Sequence, residues 1–132
     1  MEHLMDSKKL LIIDDHTGVT SVIRTTAGQM GFTCETVNQP ERAVATFLSF
    51  KPDLVILDMM MPETDGIDVL NAIMLTDIPA KFILTSGYGD EFLRMGEQIV
   101  KRHRQEAVSV LKKPFRREAL VTVLTAASGQ QA

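Results

Sequence analysis

Five polar residues with chemically useful side chains each follow a short apolar run of the chain. The adjacent aspartates Asp14 and Asp15 come after the first run, and Asp58 comes directly after a later one. Ser86 and Lys113 follow two further runs. In an open α/β sheet, ligands bind beyond the carboxyl ends of the strands. If these runs are strands, the five side chains meet at one edge of a sheet.

Three carboxylates, a hydroxyl and an ammonium predict metal-assisted phosphoryl transfer. Crowded carboxylates raise one another's pKa unless a cation compensates, and hard oxygen ligands suit Mg²⁺ far better than zinc. Mg²⁺ and Lys113 would neutralise the charge of a phosphoryl group in the transition state, and Ser86 would donate a hydrogen bond to one oxygen. Attack by a carboxylate on phosphorus gives an aspartyl phosphate.

Short apolar runs alternate along the chain with stretches of helical periodicity. The run at residues 54–57 is continuous, which indicates a strand covered on both faces. The helical connections are long enough for right-handed crossovers, so a parallel sheet is expected. The predicted strands are residues 10–13, 32–37, 54–57, 81–85 and 107–111, and the predicted helices are residues 17–30, a segment from residue 40 that ends by Pro52, and residues 67–74, 90–103 and 115–126.

Apolar residues three and four positions apart predict the buried face of each helix. Gly31 is predicted to cap the end of the first helix, and Cys34 to be a small core residue. The predicted buried residues are Val19, Val22, Ile23, Ala27 and Met30 in the first helix, Ala43, Val44, Phe47 and Leu48 in the second, Ile67, Leu70, Ala72, Ile73 and Met74 in the third, and Phe92, Met95, Ile99 and Val100 in the fourth.

Length and charge limit the classes of protein to consider. The 132 residues suit one domain, predicted over residues 8–127, with a tail at 1–7 and a tail or linker start at 128–132. A net charge of −3 gives no overall drive toward nucleic acid or anionic lipid. No apolar run approaches the ~20 residues of a membrane helix. The single cysteine excludes an intrachain disulfide and fits the reducing cytoplasm, which is the expected location.

Four short motifs follow the predicted strands in order. They are Asp14-Asp15, Asp58 with Met61-Pro62 and Asp65-Gly66 after it, Ser86-Gly87, and Lys113-Pro114-Phe115. Together they resemble the receiver domain of bacterial response regulators, and the similarity runs from about residue 8 to residue 126. Such a domain takes a phosphoryl group from a histidine kinase or a histidine phosphotransfer protein and then controls a partner or an attached effector.

The resemblance implies a role for each residue of the site. Asp58 would be the phospho-acceptor, and Asp15 and Asp58 would bind Mg²⁺ directly. Asp14 would act directly or through water, and the backbone carbonyl of Met60 would add a ligand. Ser86 would be the switch hydroxyl. The fold implied is a flavodoxin-like three-layer α/β sandwich with strand order 2-1-3-4-5.

Lys113 would pair with Asp58 at rest and with the phosphoryl group afterwards. The resemblance also implies a cis bond between Lys113 and Pro114, since X-Pro is the only bond type in which that geometry is cheap. Thr85 and Lys112 are the competing hydroxyl and ammonium. Each neighbours its rival along a strand and is expected to face away from the site.

Three positions depart from the usual receiver pattern. Val110 stands three residues before Lys113, where many receivers have a Tyr or Phe whose ring turns inward, so this chain must report the movement of Ser86 differently. Tyr88 is a candidate substitute. Met60 and Tyr88 are bulky neighbours of the phosphorylation site, which predicts a shielded and longer-lived phosphoryl group.

The segment between Ser86 and Lys113 is longer than expected, which predicts an extra turn in the fourth helix. Residues 87–107 look most like receivers joined to cyclic-di-GMP phosphodiesterase modules. In the receiver family, the face formed by the fourth helix, the fifth strand and the fifth helix carries output and dimer contacts, so a homodimer is one expectation. A solvated surface is the alternative for the basic residues of this region, which are Lys101, Arg102, Arg104, Lys112, Lys113, Arg116 and Arg117.

Simpler roles are expected for other polar residues. His16 is expected to face solvent or to cap the first helix, and Asp65 to form a turn. Spacing indicates no metal site built from histidines. Nucleic-acid binding is disfavoured because aromatic residues are scarce and no helix-turn-helix pattern follows.

Two other functions fit the same residues. A phosphohydrolase with an aspartyl-phosphate intermediate would need the same Mg²⁺, aspartate, serine and lysine. The haloacid-dehalogenase group usually begins with D-x-D, whereas this chain has adjacent aspartates and no obvious cap domain. A binding module that works without phosphorylation is the other alternative, and the intact acidic site argues against it.

Overall fold

The computed structural model describes residues 8–61, 66–87, 91–104 and 108–128. Five parallel strands in these ranges form one sheet, and they lie in the order 2-1-3-4-5 across it. The predicted α/β fold and strand order are therefore confirmed. The strands are β1 (Lys9–Ile13), β2 (Thr33–Val37), β3 (Leu54–Asp58), β4 (Lys81–Ser86) and β5 (Val108–Lys112).

Five α-helices in the described ranges cover the two faces of the sheet. A short 3₁₀ turn, Pro40–Arg42, precedes the second of them. None of these helices combines the length and apolar character that a membrane span requires. The helices are α1 (Thr17–Gln29), α2 (Ala43–Phe50), α3 (Gly66–Leu75), α4 (Glu91–Arg104) and α5 (Arg117–Ser128).

Strand residues alternate between two hydrophobic clusters, one on each face of the sheet. Leu11 and Ile13 of β1 pack on the side of α2, α3 and α4. Leu10 and Ile12 pack on the side of α1 and α5. β3 is buried along its whole length because helices cover both faces, which explains its unbroken apolar sequence. The result is a three-layer sandwich with a core on either side of the sheet.

Three residues predicted to be buried are exposed instead. Val22 of α1, Leu48 of α2 and Met95 of α4 expose 53%, 44% and 47% of their surface. In α4 the buried stripe consists of Leu93, Gly96 and Val100. With 3.6 residues per turn, Met95 lies about a third of a turn away from the middle of that stripe. Periodicity located the helices correctly, but the buried faces that it predicted are wider than the observed ones.

Gly31 and Cys34 lie in the segment that joins α1 to β2 and in β2 itself. Gly31 adopts a positive φ of 98° directly after the helix cap Met30. The C-cap is thus Met30, one residue before the predicted Gly31, and Gly31 supplies the left-handed turn that follows the helix. Cys34 is half-buried and packs against the cluster of α1 and α5, so it lies at the margin of the core.

Gly66 begins α3 where this helix touches the loop after Asp58. A Cβ at this position would lie 2.5 Å from Met59 Cα and 2.7 Å from the carbonyl oxygen of Asp58. The Gly66 N–H also donates to the Met59 carbonyl oxygen at 3.0 Å. Because the crowding atoms belong to the backbone, they cannot move aside without moving Asp58.

Gly66→Ala should lower the free energy of unfolding by about 1–3 kcal/mol, the usual cost of overpacking. Gly28→Ala is the matched control, because Gly28 also lies in a helix and a Cβ there would meet nothing within 4 Å. The control should be neutral or stabilising, since alanine restricts the unfolded chain. Urea denaturation measures both variants, and equal losses of stability would contradict this account of Gly66.

Candidate functional site

The sheet brings three aspartates to the carboxyl ends of two adjacent strands. Ile13, the last residue of β1, is in register with Leu57 of β3. Asp14 therefore lies beside Asp58, and both are only 1% exposed. The side chain of Asp15 is 22% exposed. The sequence prediction that the three carboxylates meet at one edge is confirmed by their positions.

Lys113 reaches the same carboxylates from the end of β5. Its N–H donates to the Ser86 carbonyl oxygen at 3.0 Å and continues the pairing of β4 with β5. Its Nζ lies 2.8 Å from Asp14 Oδ2 and 3.0 Å from Asp58 Oδ2. The side chain of Lys113 is 14% exposed, whereas Lys112 is exposed to solvent. The Lys113-Pro114 bond is cis, as expected from the sequence.

Burial and neighbouring charges shift the pKa of both members of this ion pair. Burial raises the pKa of Asp58; the Met60 N–H, which donates to Oδ1 at 3.0 Å, opposes the rise. The charge of Asp14 raises the pKa of Asp58 further, and Lys113 lowers it. Burial disfavours the ammonium of Lys113, but Asp14 and Asp58 outweigh this effect and raise its pKa. Lys113 is therefore a firmly charged bridge between two carboxylates.

The cluster has the donors of a divalent cation site. Within the described part of the chain, buried Asp15 Oδ1 has no hydrogen-bond partner. Lys113 Nζ, 2.8 Å from Asp14 Oδ2, offsets one of the three carboxylate charges. Unsatisfied carboxylate oxygens are the donors that a hard cation such as Mg²⁺ takes up. The residues therefore fit a Mg²⁺ ion.

His16 lies closer to this cluster than the sequence suggested. It is the N-cap residue of α1, and its ring makes no capping hydrogen bond. The side chain is 62% exposed, yet Nδ1 lies 3.2 Å from Asp14 Oδ1 and 3.2 Å from Asp15 Oδ1. The sequence predicted a residue that caps the helix or faces solvent. The exposure of His16 agrees with this prediction, but its contacts with the two aspartates were not predicted. Its position directly after two aspartates was the available signal.

Comparison with known proteins identifies the family. The family model of the response regulator receiver domain matches residues 10–125. This chain belongs to that family. It is 32% identical to the chemotaxis protein CheY of Listeria monocytogenes over 91% of this chain and 98% of that protein. The chemotaxis protein CheY of Thermotoga maritima is 30% identical over 92% and 98% of the two chains.

Solved structures share the fold of this receiver domain. The signal receiver domain of a response regulator from Bermanella marisrubri superimposes with a TM-score of 0.80 over 92% of this chain and 98% of that one. The two sequences are 23% identical. At this identity the likeness supports the architecture alone, which matches the sheet order described above.

The receiver domain places Ser86 beside the acidic cluster. Ser86 is the last residue of β4, is 2% exposed and is paired in register with Lys112. It alternates with Thr85, which is fully buried and whose hydroxyl has no hydrogen-bond partner among the described residues. The two side chains therefore lie on opposite faces of the sheet, as the sequence predicted.

Three other predicted positions have different outcomes in this receiver. Val110 lies in β5 and is 39% exposed, so an aliphatic residue takes the place of the ring found in many receivers. Tyr88 and the turn residue Asp65 lie outside the described residues. The predicted roles of the site residues in phosphorylation and switching stay predictions.

Asp58→Asn should raise the free energy of unfolding at neutral pH in metal-free buffer. A carboxylate whose pKa is raised by folding costs about 1.4 kcal/mol per pKa unit while it is ionised, and Asp58 is in this situation. The folded wild type takes up this proton first as the pH falls. The difference in free energy of unfolding between the variant and the wild type should therefore shrink as the pH falls. The decrease should begin near the pKa of Asp58 in the folded state and end at about 3.9, the ordinary value for aspartate.

Urea denaturation in EDTA at several pH values measures this difference. A wild type that is more stable than Asp58→Asn at neutral pH would contradict the raised pKa.

Proposed function

We propose that this receiver domain accepts a phosphoryl group on Asp58 in a Mg²⁺-dependent reaction and then switches conformation to control a partner or an attached effector. The carrying observation is the placement of buried Asp58 between the ammonium of Lys113 and the acidic pair. A phosphorylated histidine on a kinase or phosphotransfer protein is the proposed donor. The proposal includes the cytoplasmic location expected from the sequence.

The geometry suits an aspartate that acts as a nucleophile. Met60 N–H holds Asp58 Oδ1 at 3.0 Å, and Lys113 Nζ holds Oδ2 at 3.0 Å, so the carboxylate is fixed in orientation. An Asp58 oxygen would form the new bond to phosphorus while the bond from phosphorus to the donor nitrogen breaks. The released imidazole would take a proton from solvent. Fixed orientation of this kind is a major part of catalysis in phosphoryl transfer.

Positive charge would be supplied by groups on both sides of Asp58. Lys113 already contacts Asp58, and its ammonium would pair with a phosphoryl oxygen after the transfer. Asp15, Asp58 and the Met60 carbonyl would hold Mg²⁺, with Asp14 bound directly or through water. When bound, Mg²⁺ would neutralise charge that develops on the phosphoryl oxygens.

The apolar groove beside Lys113 supports docking of a protein donor. Val19 and Val22 of α1 line one side of this groove, and Pro114 and Phe115 line the other. Exposure of Val22, which contradicted the predicted core, is thus part of a continuous surface next to the site. This apolar groove would give a protein donor contact area that a small phosphate ester could not use.

Helix α4 is the proposed route from the site to the output surface. A Cβ on Gly96 would lie 2.7 Å from Leu84 Cδ1 and 2.9 Å from Met59 Cε. Met59 follows Asp58, and Leu84 lies two residues before Ser86, so α4 packs on both segments that are expected to move. This contact replaces the missing ring at Val110 as the means of transmission.

The exposed Met95 and Val110, on α4 and β5, provide apolar contact area for an effector or a second copy. Sedimentation velocity of the phosphorylated and resting domain would detect the proposed homodimer. A link to a cyclic-di-GMP module remains a prediction from the sequence of residues 87–107.

Incubation with acetyl phosphate and Mg²⁺ should add one phosphoryl group, measured by intact mass. Asp58→Asn and removal of Mg²⁺ by EDTA should each abolish the gain. Asp53→Asn is the matched control, because Asp53 lies at the opposite end of β3 and binds the Lys9 N–H, and it should be labelled like the wild type.

Labelling of Asp58→Asn, or an unlabelled wild type beside a labelled known receiver, would contradict the proposal. The second result would favour a binding module that works without phosphorylation. Steady release of phosphate from a small phosphomonoester would instead favour a phosphohydrolase.

Met60 and Tyr88 are proposed to shield the phosphoryl group from water. Met60→Asn should therefore shorten the lifetime of the phosphorylated form after acetyl phosphate is removed, as followed by intact mass. Met95→Asn, which replaces an exposed methionine of α4, is the control and should leave the decay unchanged. Equal decay rates in wild type and Met60→Asn would exclude shielding by Met60.

A further inference from the structure

The ring of His16 contacts the acidic cluster at oxygens of Asp14 and Asp15. Lys113 contacts Oδ2 of Asp14 and Oδ2 of Asp58. His16 Nδ1 instead faces Asp14 Oδ1 and Asp15 Oδ1, each at 3.2 Å, and lies 3.9 Å from Asp58 Oδ2. The imidazole and the ammonium therefore approach different oxygens of Asp14, while Asp58 Oδ2 lies near both of them and is closer to Lys113. Nδ1 faces the side of the cluster where Asp15 lies.

The backbone of His16 is anchored at both of its polar groups. Its N–H donates to Asp14 Oδ1 at 2.9 Å, and its carbonyl oxygen accepts from the Thr20 N–H at 3.0 Å. Only the two side-chain torsions of His16 remain to be set. The ring is thus presented toward the carboxylates by the start of α1.

The donors of the cluster extend beyond carboxylates. Asp14, Asp15, His16 and Asp58 each offer one ligand atom, and these four atoms all lie within 4.8 Å of one another. Asp15 Oδ1, which faces His16, is buried and has no hydrogen-bond partner among the described residues. Three oxygens and one imidazole nitrogen therefore surround a common point.

We propose that His16 Nδ1 is a ligand of the divalent cation in this site and shifts its preference from Mg²⁺ toward first-row transition metal ions. The inference rests on the cation site of the proposed function. Mg²⁺ is bound through oxygen ligands and keeps several waters, whereas imidazole suits zinc, copper, iron and nickel. An added nitrogen donor strengthens binding of those ions much more than binding of Mg²⁺.

A different role for His16 would have the opposite consequence. If the imidazole only fills the place of the cation, it competes with every ion alike. Removal of the ring would then strengthen the binding of all ions. If the ring is a ligand, it selectively strengthens the binding of Co²⁺ or Zn²⁺. Removal of the ring then weakens the binding of these two ions.

Isothermal titration calorimetry of the full chain with Mg²⁺ and Co²⁺ separates these roles. His16→Ala should weaken Co²⁺ binding by at least about tenfold, the lower end of the loss that follows removal of an outer-shell partner. Mg²⁺ binding should change much less. His16→Asn, which offers an oxygen in place of nitrogen, should show the same loss of Co²⁺ preference.

His103→Ala is the matched control, because His103 is an exposed histidine of α4 whose Nδ1 contacts the Ile99 carbonyl oxygen. It should leave the preference unchanged. As a second readout, Zn²⁺ should shift the ¹⁵N resonance of His16 Nδ1, identified by its loss in His16→Ala. Because His16 is 62% exposed, its substitution should not impair folding, which thermal unfolding verifies.

An unchanged ratio of Co²⁺ to Mg²⁺ affinity in His16→Ala would overturn the inference. An equal gain in the affinity for both ions would overturn it as well. The same preparations are tested for labelling by acetyl phosphate with Mg²⁺. Labelling without an effect of His16 on metal preference overturns the inference alone. Loss of metal preference in His16→Ala without labelling of the wild type overturns the proposed phosphorylation alone.

Discussion

The crowding of three carboxylates at one edge of the sheet is the constraint on which the rest of this domain depends. Asp14 and Asp58 are both almost fully buried, and isolated buried charges are expensive. Lys113 offsets part of this cost through contacts of 2.8 Å and 3.0 Å. The remaining negative charge fits the divalent cation of the proposed function.

The fold holds these charged groups close together. Asp14 and Asp58 lie on neighbouring strands in fixed register, so they cannot separate without breaking the sheet. Gly66 allows α3 to begin against the backbone of Asp58, and this close contact fixes the loop that carries Met60. The cluster is therefore a group of like charges held together by the packed core on both faces of the sheet.

Much of this arrangement could be predicted from the sequence, because unbroken apolar runs that end in acids are a strong signal. The strand order and the meeting of Asp14, Asp58 and Lys113 follow from the alternation of elements and the receiver motifs. The limits of each buried helix face did not follow. Val22 and Met95 are apolar at helical spacing, yet the packing angle of a helix on the sheet decides which flank is covered.

The contact of His16 with the carboxylates could not be predicted from the sequence either, because it depends on the side-chain torsions of the ring at the start of α1. Likewise, the sequence shows a valine at position 110, but the packing of Gly96 on Met59 and Leu84 follows only from the three-dimensional structure. Local pattern therefore identified the chemical groups. Tertiary geometry supplied their mutual contacts and the proposed path to α4.

A crystal structure of the full chain with Mg²⁺ and beryllofluoride, an analogue of the phosphoryl group, is the sharpest test of the proposed phosphorylation of Asp58. We expect beryllofluoride on an Asp58 carboxylate oxygen, with Lys113 Nζ moved onto a fluorine and the cation held by Asp15 and Asp58. An unmodified Asp58 that still pairs with Lys113, under conditions where a known receiver is modified, would contradict it.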